Sequence, residues 1–391
     1  MSATRLFAIA ALAAAATLPA FAAHTPTLTT IHCFTGAVGD DGAFPEAGLL
    51  SQDGILYGAT ADGGYSRGTI FKLDPTTNTE TILHNFSGKY DGWRPETALT
   101  YGGGMLYGAT TTGGHAFPNG TVFQVNPANG AETVLYGFAG YPGGDSPNGP
   151  TYHNGILYGT TIDGGTGCPA VQGCGTVFSV DVATGTETVL YNFGAEPDGR
   201  YPRGSLLYHA GLLYGVTTDG GYGYGTVFSI NPKTKVETVV YRFLGKPDAV
   251  GPWSGVIYRD GFLYGTSGGG GANGMGAVFV IDLTAGTETV LYSFTGANGL
   301  DGVNPQGGLV YRGGNLYGTT TDGGTANDGI VFKVNAATGV ETILYRFAGG
   351  PDGYRPPNGL AYQDGAFYGT TTASRNDCKV LSRGTVFKFT P

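Results

Sequence analysis

Apolar and β-branched residues fall in runs of five or six along nearly the whole chain, with glycine, proline, asparagine and aspartate between them. The first full cycle is typical. It predicts strand a over 46–51, after Pro45, and strand b over 55–60. Strand c follows over 69–73, opened by Gly68, and strand d over 81–86, opened by Glu80. Valine, isoleucine, leucine, tyrosine, phenylalanine and threonine fill these runs and suit a pleated, buried surface; the residues between them favour turns. Strand c reads Gly-Thr-Val-Phe-x-Val at 120–125 and 175–180, and ends in isoleucine at 225–230. Phe and Val two apart share one face, and the residue before Phe takes the other. Both faces are therefore apolar at one end, as in a sheet packed between two other sheets. The c–d connections, such as Asn126-Pro127-Ala128-Asn129-Gly130 and Asp181-Val182-Ala183-Thr184-Gly185, read as tight turns. No stretch carries a helical period of useful length.

The cycle repeats. A Tyr-Gly pair in strand b recurs at Tyr57, Tyr107, Tyr158, Tyr214, Tyr264, Tyr317 and Tyr368, in steps of 50, 51, 56, 50, 53 and 51 residues. Four strands in about fifty residues is the content of one propeller blade. The expected fold is therefore all-β, a seven-bladed propeller of four-stranded blades. Its repeats run over 45–86, 95–138, 147–193, 202–243, 252–294, 305–347 and 356–389. A β-solenoid, with one or two strands in each shorter coil, is the alternative. The two ends favour a ring. The last repeat stops after strand c, at Gly384-Thr385-Val386-Phe387-Lys388-Phe389. Residues 28–34, Leu-Thr-Thr-Ile-His-Cys-Phe, match 187–193, Glu-Thr-Val-Leu-Tyr-Asn-Phe, position for position. The first strand is thus expected to complete the seventh blade, leaving no open sheet edge.

Composition changes little in this picture. The 391 residues include 72 glycines, 12% aromatic and only 13% charged residues, the opposite of a disordered chain. The net charge of −9 argues against a nucleic-acid or anionic-membrane partner. Residues 1–22 differ in kind. Arg5, an apolar run over 6–18 and Ala20-Phe21-Ala22 make a secretory signal peptide, so the propeller is expected over 23–391 in a secreted or periplasmic protein. No later segment is apolar enough to span a membrane. Four cysteines in an exported chain imply disulfides, with three possible pairings. Cys168 and Cys174 lie in one b–c loop and can close it locally. Cys33, at the end of the first strand, and Cys378, in the b–c loop of blade 7, are then expected to pin the ring closure.

The unit Leu-Tyr-Gly-Thr-Thr, Gly-Gly, Gly-Thr-Val-Phe, Glu-Thr-Val-Leu-Tyr-x-Phe resembles the GloVer tandem-repeat family, also called choice-of-anchor repeat proteins, over residues 28–389. The resemblance implies an exported bacterial protein with a C-terminal surface anchor, and brings no established activity or catalytic residues. The sequence ends at Lys388-Phe389-Thr390-Pro391, inside the last repeat, so a free secreted or periplasmic form is expected.

Candidate chemistry gathers where the d–a and b–c loops share a face. An aspartate stands four residues before the blade proline at Asp41, Asp91, Asp198, Asp248, Asp301 and Asp352; the third repeat has Gly143 there, with Asp145 nearby. Asp62, Asp163, Asp219 and Asp322 join them from the b–c loops. Aspartate before glycine is good turn chemistry, so recurrence gives these residues a structural job. As a functional set they make a carboxylate-ringed mouth for a cation or a hydroxyl-rich ligand. Residues that vary between copies are the better candidates: Phe44, Trp93, Arg94, Arg200, Tyr201, Trp253, Tyr354 and Arg355, whose rings can stack on sugars beside hydrogen-bonding Arg and Asp. Glu80, Glu132, Glu187, Glu237, Glu288 and Glu341 open strand d and are expected at the opposite face, in a structural role. Six histidines form no triad or metal-ligand pattern. No catalytic residue, metal or cofactor is expected. The function expected is non-catalytic recognition or scaffolding outside the cytoplasm, with an extracellular glycan or an envelope protein as partner. The alternatives are a polysaccharide hydrolase or lyase using mouth carboxylates, and a structural envelope or matrix protein. A monomer is expected.

Overall fold

The computed structural model describes residues 26–36, 41–114, 119–168, 173–296, 299–375 and 383–391. Blade 1 pairs strand a (Leu50–Gln52), b (Ile55–Thr60), c (Thr69–Asp74) and d (Thr79–Asn85) in that order, all antiparallel. Strand b falls where the pattern places it. Strand a pairs later than expected, because the chain between Pro45 and Leu50 crowds the central axis. A Cβ on Gly48 would already touch Asn358 and Ala98 of the two flanking blades.

Seven such sheets form a ring, a seven-bladed β-propeller, and each seam between neighbours holds its own hydrophobic cluster. The seam follows from three repeated residues. The strand d phenylalanine of one blade meets the strand c phenylalanine of the next edge to face, as in Phe86–Phe123 at 5.2 Å and Phe193–Phe228 at 5.0 Å. The glycine of each Tyr-Gly pair makes room for that second ring: a Cβ on Gly108 would collide with Phe123 and Leu99. The tyrosine beside it fills the seam, and Tyr107 stacks on Tyr152 of the next blade at 5.3 Å.

All seven c–d pairs also carry a register shift at the same place, between the valine or isoleucine and the phenylalanine of strand c or its counterpart, as at Val177/Phe178. Such a bulge bends the outer strand and increases its twist.

The ring closes as the two ends imply. The first strand, Thr27–Cys33, pairs with the last, Thr385–Thr390, from Thr27↔Thr390 to Cys33↔Thr385. Ile31 and Phe34 are buried with Leu56 and Phe71 of blade 1 and with Val386 of blade 7. Cys168 and Cys174 form a disulfide, with Cα atoms 5.7 Å apart. Cys33 is disulfide-bonded as well; Cys378, its expected partner, lies outside the described residues, as does the leader over 1–22. Among the described residues no helix is long and apolar enough to cross a membrane.

Candidate functional site

Each blade's proline builds the loop face. Its ring packs on the glycine that opens strand c of the preceding blade: Pro95 on Gly68, Pro202 on Gly175, Pro45 on Gly384. The residue before it is left-handed in every blade, with φ of 56° at Phe44, 61° at Arg94, 56° at Tyr201 and 53° at Arg355. That conformation is unusual for side-chain-bearing residues. The N–H of this residue donates across the seam, Arg94 to the Arg67 carbonyl at 3.1 Å and Tyr201 to that of Cys174 at 3.0 Å. The chain is thereby fixed on both sides of the seam.

The residue after the proline varies around the ring: Glu46, Glu96, Asn148, Arg203, Trp253, Gln306 and Pro357. Five of these, Glu96, Asn148, Arg203, Trp253 and Gln306, line a cavity of about 350 Å³ around the central axis. Sequence reasoning singled out Trp253 alone among them. The signal was available, since this position stands at a fixed offset from a constant proline and is where the copies disagree.

The mouth is electrically divided. On one side Arg94 donates to Glu96 (Nε–Oε1 2.6 Å), and Glu46 abuts Glu96. Burial, then the Glu96 carboxylate, raises the Glu46 carboxyl above its ordinary value. On the other side the Arg203 guanidinium lies 4.7 Å from the ring centre of Trp253, and burial lowers its basicity against the pull of Asp163. A second cavity of about 270 Å³ opens between Phe44, Glu46, Asp62, Trp93 and Arg94. Arg67 lies 3.9 Å from the Trp93 ring. Further round, Arg200 pairs with Asp219 at 3.0 Å and Arg355 with Asp322 at 3.5 Å, while Arg375 covers Tyr354 at 4.7 Å. Among the described residues eight aromatic side chains are strongly exposed. Seven of them, Tyr65, Tyr90, Trp93, Tyr141, Tyr222, Tyr224 and Trp253, stand on this loop face, and Phe262 is the exception. The five tyrosines lie in loop stretches where the copies diverge, and the sequence reading passed over them.

The recurrent aspartates turn inward. Asp198 accepts hydrogen bonds from the Tyr191 hydroxyl (2.9 Å) and from the Gly194 and Gly199 amides (2.7 Å each). Asp248, Asp301 and Asp352 likewise hold Tyr241, Tyr292 and Tyr345. At Asp41 and Asp91 a histidine takes the tyrosine's place, His32 at 3.4 Å and His84 at 3.3 Å. Burial alone would raise Asp91, but hydrogen bonds from His84 and Ser87 win and bring it down to about 2. Each aspartate thus ties its d–a loop to strand d.

Five of the six strand d glutamates do not stand apart at the opposite face but reach a d–a loop aspartate. Glu80 reaches the d–a loop of the preceding blade, where its carboxyl joins Asp41 and His32 with the ligand-type atoms within 4.8 Å of one another. The bulge and twist of the outer strand swing its start across the seam. Four other seams repeat the meeting, as Glu288 with Asp248 and Glu341 with Asp301, while Glu187, whose facing loop has Gly143 for the aspartate, has Lys235 as its charged neighbour. Burial first, and the aspartate in these two seams, pushes Glu288 up to about 8 and Glu341 to about 7. Among the described residues, only His32, Asp41 and Glu80 combine an imidazole and two carboxylates with the close spacing that a metal ion needs.

Comparison with known proteins adds the family. The profile of the Gloeobacter/Verrucomicrobia repeat matches residues 14–118 and 104–300. The chain belongs to this family. No curated protein matches this Gloeobacter/Verrucomicrobia repeat chain in sequence. Its fold is similar to that of an oligogalacturonate lyase in complex with manganese, at 14% identity and a TM-score of 0.56, covering 94% of each chain. A chain of a nidogen/laminin complex is also similar, at 13% identity and a TM-score of 0.45 over 75% of this chain and 93% of that one. A puromycin-hydrolyzing peptidase of Mycobacterium tuberculosis is similar at 14% identity and a TM-score of 0.49, over 84% of this chain and 50% of that one. At such identities the likeness is one of fold alone.

Proposed function

We propose that this propeller is a non-catalytic recognition module that binds carbohydrate outside the cytoplasm, at the mouth of its central channel. One observation carries the reading: among the described residues, seven of the eight exposed aromatic rings stand on the single face where that mouth opens. Exposed rings are costly in water, and their gathering on one face marks a binding surface. Trp253 is central to it. Its ring is 42% exposed, stiffened by Arg203, and set among Asn148, Gln306 and Glu96, which supply the polar contacts a sugar needs. The Cys168–Cys174 disulfide supports an oxidising location, and so does the expected leader. A hydrolase reading gains less support: Glu46 and Glu96 abut, whereas glycoside hydrolysis uses carboxyls about 5 Å or more apart.

A glycan array followed by tryptophan-fluorescence titration with the best fragments tests the proposal. Binding is expected, and Trp253→Ala is expected to weaken it at least tenfold. No binder on the array, or binding unchanged in both Trp253→Ala and Trp93→Ala, would overturn it.

A further inference from the structure

We infer that the ring-closing seam holds a divalent transition-metal ion, liganded by His32, Asp41 and Glu80. These residues come from three elements that meet at the seam between blades 7 and 1: the first strand, the loop after it, and strand d of blade 1. One imidazole and two carboxylates form a mixed N/O donor set that suits Zn²⁺, Mn²⁺ or Fe²⁺.

Two observations favour an ion over a plain hydrogen bond; the His84–Asp91 contact at 3.3 Å and the unpartnered Glu132 Oε1 share them, and what sets this seam apart is that all three ligand atoms gather within 4.8 Å. The first is spacing. Where tyrosine holds the aspartate, the contacts are true hydrogen bonds, at 2.9 Å for Tyr191–Asp198 and Tyr241–Asp248. His32 Nε2 stands 3.4 Å from Asp41 Oδ1, long for a hydrogen bond. Two ligands at about 2.1 Å from one ion, roughly at right angles, stand about 3 Å apart. The second is the state of the donors. Glu80 Oε1 is buried without a partner, and one ligand atom each from His32, Asp41 and Glu80 lie within 4.8 Å of one another. Asp41 is already oriented, since Thr35 donates to Oδ2 from its amide (2.6 Å) and hydroxyl (2.7 Å), and Gly42 donates to Oδ1 (2.8 Å). Such supporting bonds fix a ligand's direction. The ion would tie the first strand to blade 1.

The seam between blades 1 and 2 supplies an internal control. His84, Asp91 and Glu132 repeat the residue types there, but their ligand atoms do not gather within the same 4.8 Å. The test uses the full chain stripped with EDTA, titrated calorimetrically with Zn²⁺ and separately with Mn²⁺, with melting followed in parallel. The expected result is one tight site per chain and a higher melting temperature with metal. His32→Tyr installs the residue that four other seams use, so it should fold while binding at least tenfold more weakly, and Glu80→Gln should do the same. His84→Tyr should leave binding unchanged. Absence of binding, or binding that persists in both His32→Tyr and Glu80→Gln, or binding lost only in His84→Tyr, would overturn the inference.

Discussion

Glu288 opens strand d of blade 5, half-buried against Asp248 of the preceding seam. Burial, then the Asp248 charge, moves its carboxyl from the ordinary 4.5 up to about 8. Folding therefore takes up a proton between those values. The stabilisation is complete below about pH 4.5 and is lost as pH rises through about 8. A shift of that size corresponds to roughly 5 kcal/mol for a group sealed from water. Solvent reaching this half-buried carboxyl reduces it to about 1–2 kcal/mol. Glu288→Gln removes the titration and keeps a donor for Asp248. Urea unfolding followed by tryptophan fluorescence is the assay. At pH 8.5 the variant should be more stable than the parent by about 1–2 kcal/mol, and near pH 4.5 the two should agree. The parent itself should weaken between pH 6 and 8.5, because Glu80, Glu132, Glu237 and Glu341 are each raised to about 7. Equal destabilisation of the variant at both pH values, or a parent that strengthens over that interval, would refute the reasoning.

Two further outcomes follow from the seams. Gly215→Ala places a methyl group against Phe228 and Leu206, and overpacking should cost about 1–3 kcal/mol in the same unfolding assay; a neutral result would mean the ring moves aside freely. Deleting residues 27–34 leaves strand Thr385–Thr390 as an open edge, so light scattering after size-exclusion chromatography should show oligomers, and a clean monomer with the parent's melting temperature would count against it.

Most of the fold was legible because each structural residue recurs seven times. The Tyr-Gly pair, the strand c phenylalanine and the blade proline could be read as packing devices from repetition, and the matching ends gave the exchanged strand. The site was less legible, for two physical reasons. A side chain's direction depends on backbone that no strand pattern encodes. The left-handed residue before each proline sends the following residue toward the axis, which is how Arg203 and Gln306 reach the channel cavity unannounced. Contacts across seams also depend on twist. Strand order put Glu80 at the far end of its strand, correctly within the blade, but could not see that the twist of the outer strand carries its carboxyl to Asp41 of the preceding seam.

The pairing of Thr27 with Thr390 has a consequence for the order of the repeats. The first and last described strands meet where other blades have a short c–d turn, such as the one bridged by Asn126 and Gly130. A gene rotated by one or more repeats, with the old ends joined by such a turn, should therefore encode the same disc. Which blade is translated first carries no structural information. What the order does encode is cyclic: which residue after a proline neighbours which around the axis, as Arg203 beside Trp253 and Glu46 beside Glu96. The sequence is best read as a circular word, and its meaning lies in adjacency rather than in position.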